Sequence, residues 1–281
     1  MDVHLLVVPY DSGHRGGRMG AGPERLIQSG IDRELIADGH RVTTTTIELG
    51  RGTWTAEIAT AFELMRRVAT AISSVKTSLP VVLAGNCITT IGALATYPPS
   101  RTGIVWFDAH ADFNTPDTTT SGFLDGTALA TVTGGAWRQL ALSVPGFRPI
   151  PEENVCVVGA RDLDPMEKRL LSASGVTTVR AAEIRSALPA AMEGLKKNVD
   201  RVHVHIDLDV LDASVASANT YAVGGGLTVE DLEFAVSSIG QAHPIAGITL
   251  SAYDPAADAD GRAAKAAVSV VRAAVRAAQR D

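Results

Sequence analysis

The chain of 281 residues is 46% hydrophobic and 20% charged, the composition of a globular protein with enough apolar material for one large core. A net charge of −6 lacks the basic footprint of a nucleic-acid binder. No run nears the ~18 apolar residues of a membrane span; the opening Leu5–Val8 run is too short for a secretory signal, and Cys87 and Cys156 alone do not make a disulfide framework. A cytoplasmic protein with no nucleic-acid or membrane partner is expected.

In chain order, short β-branched apolar runs occur at Leu5–Val8, Val42–Ile47, Val81–Leu83, Ile104–Phe107, Val155–Val158, Val176–Val179, Val202–Ile206 and Ala246–Leu250. Each reads as a strand of a parallel sheet, apolar on both faces. Helical stretches are predicted near Pro23–Asp38, Glu57–Ser73, Pro165–Ser172, Ala181–Asn198, Val229–Gly240 and Gly261–Gln279. The clearest is Glu57–Ser73, where Ile58, Phe62, Met65, Ala69 and Ile72 share one face. Strand–helix alternation predicts an α/β fold, a mainly parallel sheet with helices on both faces. No Pro/Ser/Gly-rich or strongly charged linker divides residues 1–281, so one domain is expected. In such folds the polar residues that follow a strand at its carboxyl end form the site.

Two strand ends are dense in ligand-type side chains. Ile104–Phe107 is followed by Asp108-Ala-His110-Ala-Asp112, and Val202–Ile206 by Asp207-Leu-Asp209. Alternate residues of a strand point to one face, so these side chains converge. Four carboxylates and an imidazole in one place call for cations, and an oxygen-rich set suits Mn²⁺ or Mg²⁺ better than thiolate-caged zinc. Bridging carboxylates can hold two metals and activate one water as hydroxide between them. The competing reading makes the aspartates caps and loop residues and His110 a core histidine; the presence of both motifs at strand ends weighs against it.

These motifs resemble the ureohydrolase family, which includes arginase, agmatinase and formiminoglutamase. Asp108-Ala-His110-Ala-Asp112 is similar to its DAHxD signature, and His205-Ile-Asp207-Leu-Asp209-Val-Leu-Asp212 to SxDxDxxDP. The resemblance, over nearly the full length, implies a three-layer α/β/α fold with an eight-stranded sheet and a two-manganese centre. Asp108 and Asp207 would bridge the ions, Asp112 would complete the first site, and His110 with Asp209 the second. Asn114-Thr-Pro-Asp-Thr-Thr119-Thr-Ser121-Gly looks like the arginase loop in which Asn114, Thr119 and Ser121 receive a substrate α-carboxylate. The Gly159-Ala-Arg161-Asp-Leu-Asp164-Pro-Met-Glu167 segment resembles the one that holds the α-ammonium, through Asp164 with help from Glu167. A turn and an ordinary helix N-terminus at Asp164-Pro165 are the alternative. The implied partner is a small guanidino amino acid.

Departures from the family fall at the guanidino end. The GGDHS segment reads Ala84-Gly85-Asn86-Cys87-Ile88, so Cys87 stands where a histidine ligand is expected, either as a thiolate ligand or as a small buried hydrophobe. The EVNP-like segment reads Ala252-Tyr253-Asp254-Pro255, without the carboxylate that pairs with a guanidinium. Burying a charged guanidinium without a partner is costly, so a less basic hydroxyguanidine fits better. The LHG proton-shuttle segment reads Leu124-Asp125-Gly126; Asp125 is a candidate acid–base group, a substrate-orienting acceptor or a turn residue. Tyr221 is expected near the same end; His205 is read as a support of the cluster or as core, and His203 as core. Together these features resemble the branch of Nω-hydroxy-L-arginine amidinohydrolases that supply hydroxyurea for D-cycloserine biosynthesis. The expected reaction is attack of the bridging hydroxide on the guanidino carbon, with Asp108 and Asp207 holding the metals and Asp125 or metal-bound water assisting departure of ornithine. Ordinary arginase, or a metal-containing amino-acid-binding pseudoenzyme, are the alternatives. The chain also lacks the long tail that follows the last helix of trimeric arginases, so a monomer is expected, with the family's homo-oligomer as the alternative.

Overall fold

The computed structural model describes residues 1–50, 56–75 and 77–279. All eight apolar runs form strands: β1 (Asp2–Val8), β2 (Arg41–Thr46), β3 (Leu79–Ala84), β4 (Thr102–Phe107), β5 (Val155–Val158), β6 (Thr177–Val179), β7 (Arg201–Asp207) and β8 (Ile245–Ser251). They make one sheet in the order β2-β1-β3-β8-β7-β4-β5-β6, with every neighbouring pair parallel. The six inner strands are almost wholly buried. At the edges the expectation of two apolar faces fails. Residues Arg41–Thr46 are mostly exposed, and so are Thr177 and Thr178. Threonine keeps the β-branched preference for extended backbone while tolerating water, which suits an edge strand with one neighbour.

The longer helices are α1 (Gly22–Gln28), α2 (Ile31–Ala37), α3 (Glu57–Ser73), α7 (Pro165–Ala173), α8 (Ile184–Leu195), α9 (Val229–Ala242) and α10 (Arg262–Ala278); α4 (Thr90–Leu94), α5 (Ala128–Val132) and α6 (Arg138–Leu142) are single turns. The stretch expected as one helix over Pro23–Asp38 is two, because Gly30 adopts φ +91° between them. That left-handed conformation is open to glycine at no steric cost and ends α1.

Alternation along the strands divides the core. One cluster joins Leu5, Val81, Val105, Val204 and Ile248 to α1, α2, α8, α9 and α10. On the opposite face Ile104, Trp106 and Val157 pack with Phe62 and Met65 of α3 and with α4, α5 and α7. The result is three layers, α/β/α. It sets the carboxyl ends of β3, β8, β7 and β4 side by side at the centre of the sheet, where four loops converge.

Candidate active site and metal centre

The four loops bring the expected ligands together. Cys87 follows β3; Asp108, His110 and Asp112 follow β4; Asp207 ends β7 and Asp209 lies in the turn after it; Ser251 ends β8 and Ala252 follows. Ligand atoms of Cys87, Asp108 and Asp207 lie within 4.8 Å of one another, as do those of Asp108, His110 and Asp209. Asp108 is common to both trios, and Asp207 links them through its own loop: its Oδ1 accepts from the amide of Asp209 at 2.9 Å. Asp112 stands beside these groups. Its φ is +52°, and its Oδ2 is buried with no hydrogen-bond partner.

Backbone and side-chain donors fix the acids. Trp106 donates its indole N–H to Asp108 Oδ2 at 3.0 Å, and the amide of His110 donates to Asp108 Oδ1 at 2.7 Å. The amide of Ala109 donates to Asp209 Oδ1 at 3.2 Å, and Asn219 Nδ2 to Asp209 Oδ2 at 3.3 Å. Cys87 Sγ lies 3.0 Å from Asp207 Oδ2 and 3.1 Å from Ser251 Oγ. Gly85 makes this approach of the Cys87 loop possible: a Cβ there would stand 2.2 Å from the carbonyl oxygen of Tyr10.

Burial and mutual repulsion perturb the acids of this cluster strongly. Burial, then the charges of Asp108, Asp125, Asp207 and Glu167, push the Asp112 carboxyl well up. Burial and Asp209 and Asp108 do the same to Asp207, and burial and Asp108 raise Asp209. Burial and then Asp207 raise the Cys87 thiol. Burial would also raise Asp108, but hydrogen bonds from His110 and Trp106 outweigh it and lower its pKa. For His110 burial works against protonation; the Asp108 hydrogen bond and the charges of Asp108, Asp209 and Asp162 overcome it and raise the group to about 9. One imidazolium cannot neutralise this many buried acids, and Asp112 Oδ2 is left without any donor. Divalent ions on carboxylate oxygens, an imidazole and a thiolate satisfy both the charge and the orphaned atom, so the residues fit a two-metal centre.

The cleft above this cluster has a volume of about 240 Å³ and is lined by His110, Asp112, Asp207 and Asp209 at its floor. Asn114, Thr119, Ser121, Asp164, Glu167, Asp125 and Tyr221 line it as well, so each of the expected substrate residues faces one space. Asn114 Nδ2 donates to Asp164 Oδ2 at 3.2 Å, and Thr120 Oγ1 to the same oxygen at 3.3 Å. Asp164 also caps α7, with Pro165 following it, so the helix-terminus reading holds alongside its position in the cleft. Glu167 is buried and spends both oxygens on backbone, accepting from the amides of Phe113 at 2.9 Å and Asp164 at 3.2 Å. It ties the two substrate-facing loops together.

Asp125 is buried, not a surface turn. Its Oδ1 accepts from the amide of Ile88 at 3.0 Å and its Oδ2 from Asn86 Nδ2 at 2.7 Å. Burial raises its pKa against these bonds, to about 7. Ala252 is 2% exposed, has φ +61°, and presents only a methyl group to the cleft. His205 is held by Thr90 Oγ1 at 2.8 Å and stacks on Trp106 at 3.5 Å, which places it under the cluster as a prop for the Asp108 partner. His203 is core, bonded to Thr249 Oγ1 at 2.9 Å. Sequence reasoning missed Asn219, which holds Asp209 and the Ala252 carbonyl, and the wall residues Met19 and Phe123. An isolated Asn, Met or Phe in a loop carries no pattern that would single it out.

A family model described as the arginase family matches residues 1–276. Arginase of Staphylococcus aureus (strain COL) is 31% identical over 201 residues, which is 68% of this chain and 66%, just under two thirds, of that relative. Arginase of Bacillus caldovelox is 28% identical over 288 residues, covering 96% of each chain. The solved structure of arginase from Bacillus caldovelox in its native form matches with a TM-score of 0.88 at 26% identity, over 97% of both chains. The order of the eight parallel strands, the paired ligand trios at their carboxyl ends and this match along almost the whole sequence place the chain in the arginase family, whose hydrolases act on amidino groups.

Proposed function

We propose that this enzyme hydrolyses the guanidino group of Nω-hydroxy-L-arginine, giving hydroxyurea and L-ornithine. The observation that carries the reading is Ala252, a buried methyl group in the cleft wall at the position where the family resemblance places a guanidinium-pairing carboxylate. The acids nearby are committed elsewhere. Asp108, Asp112, Asp207 and Asp209 would hold the metals with His110 and Cys87, and Asp125 already accepts from Asn86 and Ile88. A permanently charged guanidinium would enter without a counter-ion, whereas an N-hydroxyguanidine can be bound neutral at lower cost.

Two divalent ions, Mn²⁺ by the hardness of the donor set, would supply a water-derived nucleophile at neutral pH. The chain's own groups orient the substrate for it. Asn114, Thr119 and Ser121 offer neutral donors to the α-carboxylate, and Asp164 offers an acceptor to the α-ammonium. Glu167 keeps those two recognition loops in register. Asp125, whose pKa of about 7 lets it carry or release a proton near neutrality, is assigned to protonate the departing δ-nitrogen of ornithine. Tyr221 closes the open side beside His110. On this reading the hydroxyurea would serve D-cycloserine assembly.

A second reading, L-arginine to urea and ornithine, is favoured by the name arginase carried by the relatives. The two are separated by kcat/KM for hydroxyarginine and arginine measured side by side with manganese present. Hydroxyarginine should be the better substrate; faster turnover of arginine overturns the proposal.

A further inference from the structure

Arg18 holds a backbone conformation that is uncommon for an L-residue. Its φ is +45°, in the left-handed region that costs an L-residue about 1–2 kcal/mol and a glycine nothing. Gly16 and Gly17 precede it directly, so a third glycine would have served the turn more cheaply. An outlier of this kind points to a task for the side chain.

The guanidinium is engaged on two sides. Its Nε donates to Asp11 Oδ2 at 2.7 Å and its Nη2 to Asp11 Oδ1 at 3.2 Å. Asp11 is 2% exposed in its side chain against 55% for Arg18, so the pair runs from the surface inward. Asp11 Oδ1 also accepts from Asn86 Nδ2 at 3.2 Å, and that same amide group donates to Asp125 Oδ2 at 2.7 Å. The amide of Ser12 donates to Asn86 Oδ1 at 2.9 Å and fixes which way the Asn86 side chain points. On the other side the Arg18 guanidinium lies 5.4 Å from the centre of the Phe123 ring. Phe123 in turn stacks on Tyr221 at 5.7 Å. Three loops, those that follow β1, β4 and β7, are thus joined around one cation. Met19, next in the chain, lines the cleft together with Phe123, Asp125 and Tyr221.

We propose that Arg18 is a positioning residue for substrate discrimination: through Asp11 and Asn86 it holds the Asp125 carboxylate, and through Phe123 and Tyr221 it holds the facing wall. This rests on the reading of the cleft as a site for guanidino amino acids. The two contacts together fix the width of the space beside the guanidino group without touching the substrate.

The test compares wild type with Arg18→Ala and Arg18→Lys in the manganese-loaded enzyme, on hydroxyarginine and arginine. Loss of an exposed ion pair and a cation–π contact should raise KM about three- to tenfold in Arg18→Ala and narrow the ratio of kcat/KM between the two substrates. Thermal midpoint and metal content should stay as in wild type, and Arg18→Lys, which keeps a cation over Phe123, should recover part of the effect. Unchanged KM and ratio in Arg18→Ala would overturn the proposal, as would losses that merely follow a fall in midpoint or metal content. If wild type turns over neither substrate, the functional reading fails by itself. Arg18 is then judged on calorimetric binding of L-ornithine, where weaker binding by Arg18→Ala supports the proposal and equal binding overturns it.

Discussion

Substituting Ala252→Glu restores a carboxylate to the cleft wall, and its effect can be worked from the site. Ala252 is buried and already carries a Cβ at φ +61°, so a longer L-residue adds no new backbone strain. Its side chain would extend into a cleft of about 240 Å³. A carboxylate about 4 Å from a guanidinium gains about 4 kcal/mol at the effective dielectric of such sites. Desolvating the new charge beside Asp207 and Asp209 removes part of that gain, leaving about 2–3 kcal/mol. This is roughly a 30- to 150-fold rise in kcat/KM for L-arginine, at about 1.4 kcal/mol per tenfold. Hydroxyarginine, bound neutral, should gain little, so the ratio between the substrates should move toward arginine by nearly the same factor. The isosteric Ala252→Gln serves as control and should leave the ratio near its original value. Steady-state kinetics of the three proteins on both substrates decide the matter. An unchanged ratio in Ala252→Glu, or an equal shift in Ala252→Gln, would refute the claim that a missing charge sets the preference.

Two further outcomes follow from the buried groups. Cys87→Ala should weaken manganese binding by more than the ~10–100-fold that loss of an outer-shell partner costs, while Cys87→His should retain two ions per chain; metal analysis after equilibrium dialysis checks both, and a Cys87→Ala protein that keeps its full metal content would make the thiol a packing group only. His203 is neutral in the fold, its pKa lowered by burial from 6.5 to about 3. The unfolded chain binds a proton below 6.5 and the folded one does not, so native stability must fall as pH drops from 6.5 toward 3. At pH 5 the loss is roughly 2 kcal/mol for this one histidine. Urea melts at pH 7 and pH 5 should show a smaller difference in His203→Asn by about that amount; an identical difference would mean that His203 does not carry the pH dependence.

The sheet was legible because its inner strands are short, apolar on both faces and bounded by polar turns, and the convergence of Asp108, His110, Asp207 and Asp209 because alternate residues after a strand share a face. Exposure of Arg41–Thr46 was missed because its valine and threonines share the β-branched preference of the inner strands, and only the run of four threonines hints at water on its faces. The division of Pro23–Asp38 turned on the conformation of Gly30, and α4, α5 and α6 are too short to show a helical period. Site residues with a motif of their own could be found in advance. The contacts made by Asn86, Arg18 and Asn219 could not, because each acts across the fold: Asn86 on Asp125 and Asp11, Arg18 on Phe123, Asn219 on Ala252.

The departures from the family pattern are coupled, and the coupling separates a retuned enzyme from a decayed one. Where the family's GGDHS and LHG segments carry an aspartate and a histidine, this chain has Asn86 and Asp125. A histidine can donate to an aspartate, whereas an ionised aspartate can only accept. Had position 86 remained an aspartate, two carboxylates would face each other across the 2.7 Å contact that the Asn86 amide and Asp125 now share, at a cost that would force one to stay protonated. The Asn86 amide instead donates to Asp125, and its second contact ties the pair to Asp11 and so to Arg18. At the next position Cys87 meets Ser251, whose hydroxyl is within 3.1 Å of the sulfur and able to donate to it as a thiolate. A site that had merely lost its chemistry would retain mismatched partners around each substitution. Here Asn86, Cys87 and Asp125 each have a complementary neighbour from another strand end, while Asp108, His110, Asp112, Asp207 and Asp209 still converge on one floor. That pattern fits a metal centre kept in use under changed demands at the guanidino end.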